Sequence, residues 1–513
     1  MRRPPLKKHL LGLLLLWTIF ALVVWTFCVT QTPVDDAYIT FRYVRHLVAG
    51  HGLVFNPGEA PLEGYSSLLW LLLLAPFERL GMDLAATAHV VGALLGMATL
   101  GIVALGERGE RPRWLGAAAL IACLPWLYHT VNGLETGLVA CLIAALTCLS
   151  PNSPRHRKVL LLVAVLLPLA RPEGLLAVLA WSAASQFAAR RWQRDSLTHA
   201  ASALTAFAAQ LAFRLVYHHA WIANSARAKM MPPAVALPPG LLDLGRFLLT
   251  SSGMGVGLLL VLLAGARVAQ TELGERSRAR ALFLLLFAPV LATSGGDSFP
   301  LWRFFVPLAP TLLAAADDGL QTLLAPRQWP ARTTLLTRWL AGVVLVTLLL
   351  LPWRLLQPMV RMEGDWVKRW AAIGERLGQI LPPTTTIALA PAGALPYLSR
   401  FQAIDLLGLN DAHIAHLPPD LSYFYPGHQR HDGDYVLKRQ PDLIFLSNGP
   451  LVTNADQPFP WREVRVYEQD ILRHPLFRAQ YRLVAMPLRP GLLLQVFARA
   501  EFAAKHGWSA TAF

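Results

Sequence analysis

The chain has 513 residues, of which 55% are hydrophobic and 15% charged, and a formal net charge of +15. So apolar a composition excludes an ordinary soluble protein. The basic residues cluster between apolar runs (Arg2-Arg3, Lys7-Lys8, Arg155/Arg157/Lys158, Arg190-Arg191/Arg194), which is the positive-inside pattern of cytoplasmic loops and not a nucleic-acid groove, so membrane lipid is the expected partner and nucleic acid is excluded.

The chain opens with MRRPPLKKH and continues as LLGLLLLWTIFALVVWTF. A basic flank before an apolar run of about twenty residues predicts a signal anchor with its N-terminus in the cytoplasm. The run is long for a cleaved signal peptide and no A-x-A site follows it. Residues from Gln31 onward then face outward. Ser66–Met82 has too few apolar residues to span comfortably and reads as interfacial or re-entrant. Further spans are expected near 84–106, 114–131, 134–150, 159–171, 174–188, 197–217, 253–268, 281–294, 301–318 and 336–354. With the first, they number about eleven. On that count the basic loops 107–113, 151–158, 189–195, 266–280 and 327–338 all fall inside. The outward loops are 31–83, 132–133, 172–173, 218–252 and 295–300.

The texture changes near residue 355. TTTIALA (384–390), PDLIFLS (441–447), YRLVAM (481–486) and GLLLQVFA (491–498) are short apolar runs bounded by Pro or Gly, as buried strands are, and Val360–Ile380 has helical amphipathic spacing. The fold class is therefore a polytopic α-helical membrane protein with a C-terminal soluble α/β domain. Residues 1–355 form the transmembrane domain, with 31–83 as its first outer loop, and 356–513 form an extracytoplasmic domain. The four cysteines lie in or beside apolar spans, so that domain has no disulfide, and no metal-type Cys/His spacing occurs.

Acids and bases gather at the outward edges. Asp35 and Asp36 directly follow the first span, where ionisable groups are costly and usually functional. Two close carboxylates raise one another's pKa, which suits one of them to act as a general base; the structural reading is an acidic helix cap. Arg42, Arg171, Lys229 and Arg303 suit a phosphate, against the ordinary alternative of snorkelling to headgroups. Glu63 and Tyr65 stand in a Gly/Pro-bent loop and would line a sugar pocket if they are not simply turn residues. Glu135, Glu173, Asn224 and Asp297 occupy the remaining outward loops, Asp297 after a Gly-Gly pair that allows close backbone approach. His428 and His431 with Asp432 and Asp434 match no strong ligand spacing and read as a surface loop.

The run DDAYITFRYVRHLVAGHGLVFNPGE…EGYSSLLW, followed in order by NGLETG, ARPEG, GGDSFPLWRF and IDLLGLND, resembles the GT-C class of polyprenyl-phosphate-dependent membrane glycosyltransferases. Within that class it is most similar to the bacterial, mycobacterial-type terminal β-arabinofuranosyltransferase group. The resemblance runs from Asp35 to about Asp434. It implies a bacterial inner-membrane enzyme that moves a sugar, arabinofuranose or another pentose, from a polyprenyl-phosphate donor to an envelope glycan, lipid or glycoprotein acceptor. It implies Asp35 or Asp36 as the catalytic carboxylate; with it, the outward bases Arg171, Lys229 and Arg303 are expected near the phosphate, and Asp411 and His428 of the tail near the acceptor. A divalent cation between carboxylates and phosphate is left open. The chain departs from the group at APLEGYSSLLW, where the group carries a charged residue before Glu-Gly-Tyr and Thr-Asn or Thr-Ser after it. Two other classes share the apolar body. A flippase for lipid-linked sugar would place charges on broken helices at mid-membrane, and they stand here at span ends. A non-catalytic scaffold of envelope assembly would leave the carboxylate pair without a purpose.

Overall fold

The computed structural model describes residues 6–106, 112–151, 153–250, 272–323 and 353–509, with isolated positions between the last two. Two expected spans, 253–268 and nearly all of 336–354, lie outside the described residues.

Helix α1 (Leu6–Thr30) is long enough to cross a bilayer, and it exposes Leu11, Leu15, Leu22 and Trp25 along its length. After a four-residue extended link come α2 (Asp35–Val48) and the loop to α3 (Leu68–Arg79). At 12 residues α3 reaches only ~18 Å, too short to cross. Helix α4 (Leu84–Leu105) returns through the bundle. Next, α5 (Trp114–Ala122) and α6 (Leu124–Val131) replace the single span expected at 114–131, bent by 74° at Cys123. Pro125, which lacks an N–H, stands in the first turn of α6 and forces the helix to restart. Helix α7 (Thr136–Cys148) is buried along its entire length. It is ringed by α8 (Pro154–Ala170) and α9 (Glu173–Ala189), together with α4. Helix α10 (Arg194–Tyr217) runs back toward the first loop.

By length and composition, three helices among the described residues can cross a membrane (α1, α4 and α10), or four if the bent pair counts as one. The other expected spans that fall among the described residues are helices that are shorter or carry more charge. The region expected as an outward loop over 218–252 instead holds α11 (Asn224–Lys229) and α12 (Pro233–Thr250). Pro233 opens the second of these helices, where its missing N–H costs nothing. Gly240 then packs so tightly on α13 (Glu272–Ala292) that a Cβ there would meet the Ala292 carbonyl at 1.8 Å. The helix expected from 301 begins only at Ala309 (α14, Ala309–Leu323), because Leu301 and Trp302 both take left-handed φ angles, 66° and 55°. That turn folds Arg303 back onto Asp297.

The C-terminal region begins with α15 (Trp353–Ile380), so a boundary at 355 falls inside its first turn. Its buried stripe Val360, Gly364, Val367, Trp370, Ile373 and Leu377 follows helical spacing. A six-stranded sheet follows: β1 (Thr386–Leu389), β2 (Gln402–Asp405), β3 (Leu443–Ile444), β4 (Leu451–Val452), β5 (Tyr481–Arg489) and β6 (Leu492–Arg499), in the order β2-β1-β3-β6-β4 with β5 also on β6. β1 lies parallel to β2 and β3, while β6 runs antiparallel to its neighbours. Residues alternate between two cores: Ile387, Leu389 and Leu443 face α15 and the bundle, whereas Ala388, Ile444 and Phe497 face a second cluster on the far side. The crossover between β1 and β2 carries α16 (Ala394–Ser399), and this short helix rests directly on α2.

Candidate active site

The two adjacent carboxylates stand in the first turn of α2, where the helix N-terminus favours negative charge. Successive residues there point in different directions, and the structure gives them different surroundings. Asp35 is 4% exposed. It accepts hydrogen bonds from the backbone N–H of Gly393 at 2.9 Å and of Ala394 at 2.8 Å, and so caps α16 rather than its own helix. Gly393 is required at this contact, since a Cβ would sit 1.9 Å from the Asp35 carbonyl oxygen. Burial pushes the Asp35 carboxyl up to about 7, against the pull of the two N–H donors. Asp36, in contrast, keeps 25% of its side chain exposed and faces the Lys229 ammonium at 3.8 Å.

Both carboxylates line a cavity of about 340 Å³ between the helix ends and the tail. Lys229 and His428, two further residues expected at the site, line it as well. His428 donates from Nδ1 to the Pro426 carbonyl at 2.8 Å, which leaves Nε2 as the acceptor, and its ring lies 4.1 Å from that of Tyr425. Burial lowers its pKa to about 4, so it works as a neutral imidazole. Sequence reasoning missed Trp366, Tyr425, Arg465, Tyr467 and Glu363, all of which also line the cavity. Arg465 is exposed and has no ion-pair partner among the described residues.

A signal for Glu363 was available. It lies three residues after Val360 and four before Val367, so an acid falls on the buried stripe of α15. Burial pushes its carboxyl up to about 7, helped by the charges of Asp35 and Asp36. The sign of the resulting pH dependence follows. Asp35 and Glu363 hold their protons up to about pH 7 when folded, against ordinary values of 3.8 and 4.5. The folded chain then binds more protons in that window, so its stability falls as pH rises from about 4 to about 7. Melting curves across the window should show this slope, and Glu363→Gln should flatten it. An unchanged slope in that variant would remove Glu363 from the account.

The remaining residues expected at the site are engaged elsewhere. Arg42 is buried and spends its guanidinium on the Phe55, Pro396 and Phe401 carbonyls and on Asn56, tying the first loop to the tail. Glu63 forms a buried two-pronged pair with Arg214. The Tyr65 hydroxyl meets His218 Nε2 at 3.1 Å. Asn224 donates to the Gly408 and Leu409 carbonyls at 2.8 and 3.0 Å. Asp411 caps a short helix and takes hydrogen bonds from Tyr435 at 3.0 Å and Arg439 at 3.1 Å. Glu135 accepts from Ser66 at 3.0 Å and lies 3.8 Å from Arg171, which pairs with Glu173 at 2.7 Å. Asp297 and Arg303 form an ion pair at 2.8 Å, beside the cavity-lining Ser298 and Phe299. None of these ten residues lines the cavity, and the reason is shared: each has a protein partner that satisfies it. Among the described residues no group of three or more His, Cys, Asp or Glu side chains converges as metal ligands would.

The crystal structure of ArnT from Cupriavidus metallidurans bound to undecaprenyl phosphate superposes with a TM-score of 0.57 over 96% of this chain and 99% of that one, at 14% identity. The apo state of the same protein superposes with a TM-score of 0.56, also at 14% identity, over 95% and 98%. The fold is that of ArnT. In sequence, the chain is 34% identical over 221 residues to the terminal β-(1→2)-arabinofuranosyltransferase of Mycobacterium tuberculosis, a match covering 38% of this chain and 34% of the relative. The chain thus spans about a third of the curated relative's length. Residues 360–507 match a family described as a domain of unknown function, DUF8728.

Proposed function

We propose that the chain is a membrane glycosyltransferase of the bacterial inner membrane. It takes a sugar from a polyprenyl-phosphate donor and passes it to an envelope acceptor on the extracytoplasmic face, with the N-terminus in the cytoplasm and the tail outside. The observation that carries this reading is Asp36, which faces a cavity beside Lys229 at the end of the bundle that meets the tail. The ArnT fold and the match to an arabinofuranosyltransferase support it, and the latter favours a pentose.

In this reading the acceptor hydroxyl oxygen attacks the anomeric carbon and the bond from that carbon to the phosphate oxygen breaks. The hydroxyl proton passes to the Asp36 carboxylate. Lys229 and Arg465 stabilise the phosphate as it leaves, an electrostatic contribution that grows where water is scarce. The rings of Tyr425, Tyr467 and Trp366 give the sugar faces to pack on. Arg171 and Arg303, paired with acids close by, shape the helix ends around the cavity without reaching into it.

The test is a donor-consumption assay, in which purified protein meets a panel of polyprenyl-phosphate sugars with crude envelope acceptor. Release of polyprenyl phosphate from one donor names the sugar. No release from any of them, in protein that melts normally, overturns the reading. Lys229→Met should raise the KM for the donor roughly 10-fold to 100-fold, the loss of one charge-assisted phosphate contact. An unchanged KM would take Lys229 out of the phosphate site.

A further inference from the structure

The end of the bundle away from the tail holds a second cavity, of about 410 Å³, which the transfer reaction does not use. It lies where α9 turns into α10, against the start of α13. Helix α8 alone, with 17 residues, separates the two ends by ~25 Å. The wall is apolar in depth, with Trp181 of α9 packed beside Leu146 and Leu160, and the rim is basic, with Arg191, Arg194 and Arg276.

Arg276 at this rim donates to the Leu149 carbonyl at 3.0 Å, while Arg194 stands outside the ion pairs. The rim's two acids are each met by an arginine: Asp195 by Arg157 at 3.5 Å and Glu275 by Arg191 at 3.8 Å. Arg194 has no carboxylate within ion-pair distance among the described residues. Trp192 is 84% exposed and Phe187 is 74% exposed, so large aromatic groups stand unburied beside a basic, apolar-walled cavity. Such rings settle at the boundary between hydrocarbon and water, and a basic pocket between helix ends suits an anionic headgroup whose chains remain in the bilayer.

We propose that this cavity binds the phosphate of an anionic phospholipid from the leaflet opposite the Asp36 cavity, with the arginine rim on the headgroup and Trp181 and Leu160 against its glycerol and upper acyl chains. A soluble phosphate would satisfy the arginines but would leave the apolar wall and the exposed rings uncovered.

The experiment compares wild type with R191Q/R194Q, in nanodiscs of phosphatidylcholine with and without phosphatidylglycerol. Phosphatidylglycerol should raise the melting temperature of wild type, and the double variant should retain that lipid roughly tenfold less in native mass spectrometry and lose most of the shift. In pure phosphatidylcholine the two proteins should melt alike, which separates lost binding from lost folding. If the double variant does not fold, R194Q alone is read the same way. Equal retention of phosphatidylglycerol in the variant overturns the proposal. So does an equal shift from inorganic phosphate alone, which would make the ligand a soluble anion.

Discussion

An Asp36→Asn variant is expected to fold and melt like wild type while losing sugar transfer by roughly 10²–10⁴-fold in kcat, the usual worth of a positioned general base. Among the described residues its carboxylate takes no hydrogen bond from the backbone, and it faces the cavity, so the amide costs the fold little. The neighbouring Asp35→Ala should behave in the opposite way. It orphans the buried N–H groups of Gly393 and Ala394, at roughly 1–3 kcal/mol each, and shows first as a lowered melting temperature. Polyprenyl-phosphate release and thermal melts on the same samples separate the two roles. If Asp36→Asn turns over at the wild-type rate while Asp35→Asn is inactive at a native melting temperature, the assignment is reversed.

The second large effect concerns the first loop's grip on α10. Glu63 and Arg214 are buried together and joined by two hydrogen bonds. Replacing Arg214 with Leu leaves an uncompensated carboxylate in a dry site, expected to cost about 3–5 kcal/mol. Replacing both partners with apolar residues of similar volume should recover much of that loss. Denaturant unfolding of the single and double variants measures both. A single variant as stable as wild type would mean that water reaches Glu63 in solution.

Asp36, Lys229 and His428, each expected at the site from the sequence, line one cavity. What the sequence hid was the purpose of their polar neighbours. Arg42 and the Pro396 carbonyl it holds are 354 positions apart, and local pattern does not show that a first-loop arginine will be used up by the tail. Polar residues on an outward loop therefore read as ligand contacts when several of them are fasteners. Among the helices, the apolar runs located α1, α4 and α10 well because length and hydropathy are local properties. The bend at Cys123 had a local sign in Pro125, while α12 did not, since its Pro-Pro pair marks a loop unless a helix such as α13 packs against it. Strands β1, β3, β5 and β6 were readable from short apolar runs, whereas β2 and β4 were not, and the strand order depends on contacts distant in sequence.

The contact between Asp35 and Gly393 constrains how such chains can be recombined. The tail segment cannot be exchanged among relatives as an independent cassette, because its crossover loop must arrive with a residue lacking a side chain opposite the aspartate. A transplanted tail with alanine at that position would be wedged away from α2 and would carry Tyr425, His428 and Arg465 out of reach of Asp36. The shape of the Asp36 cavity, lined from both the helices and the tail, thus hangs on one glycine.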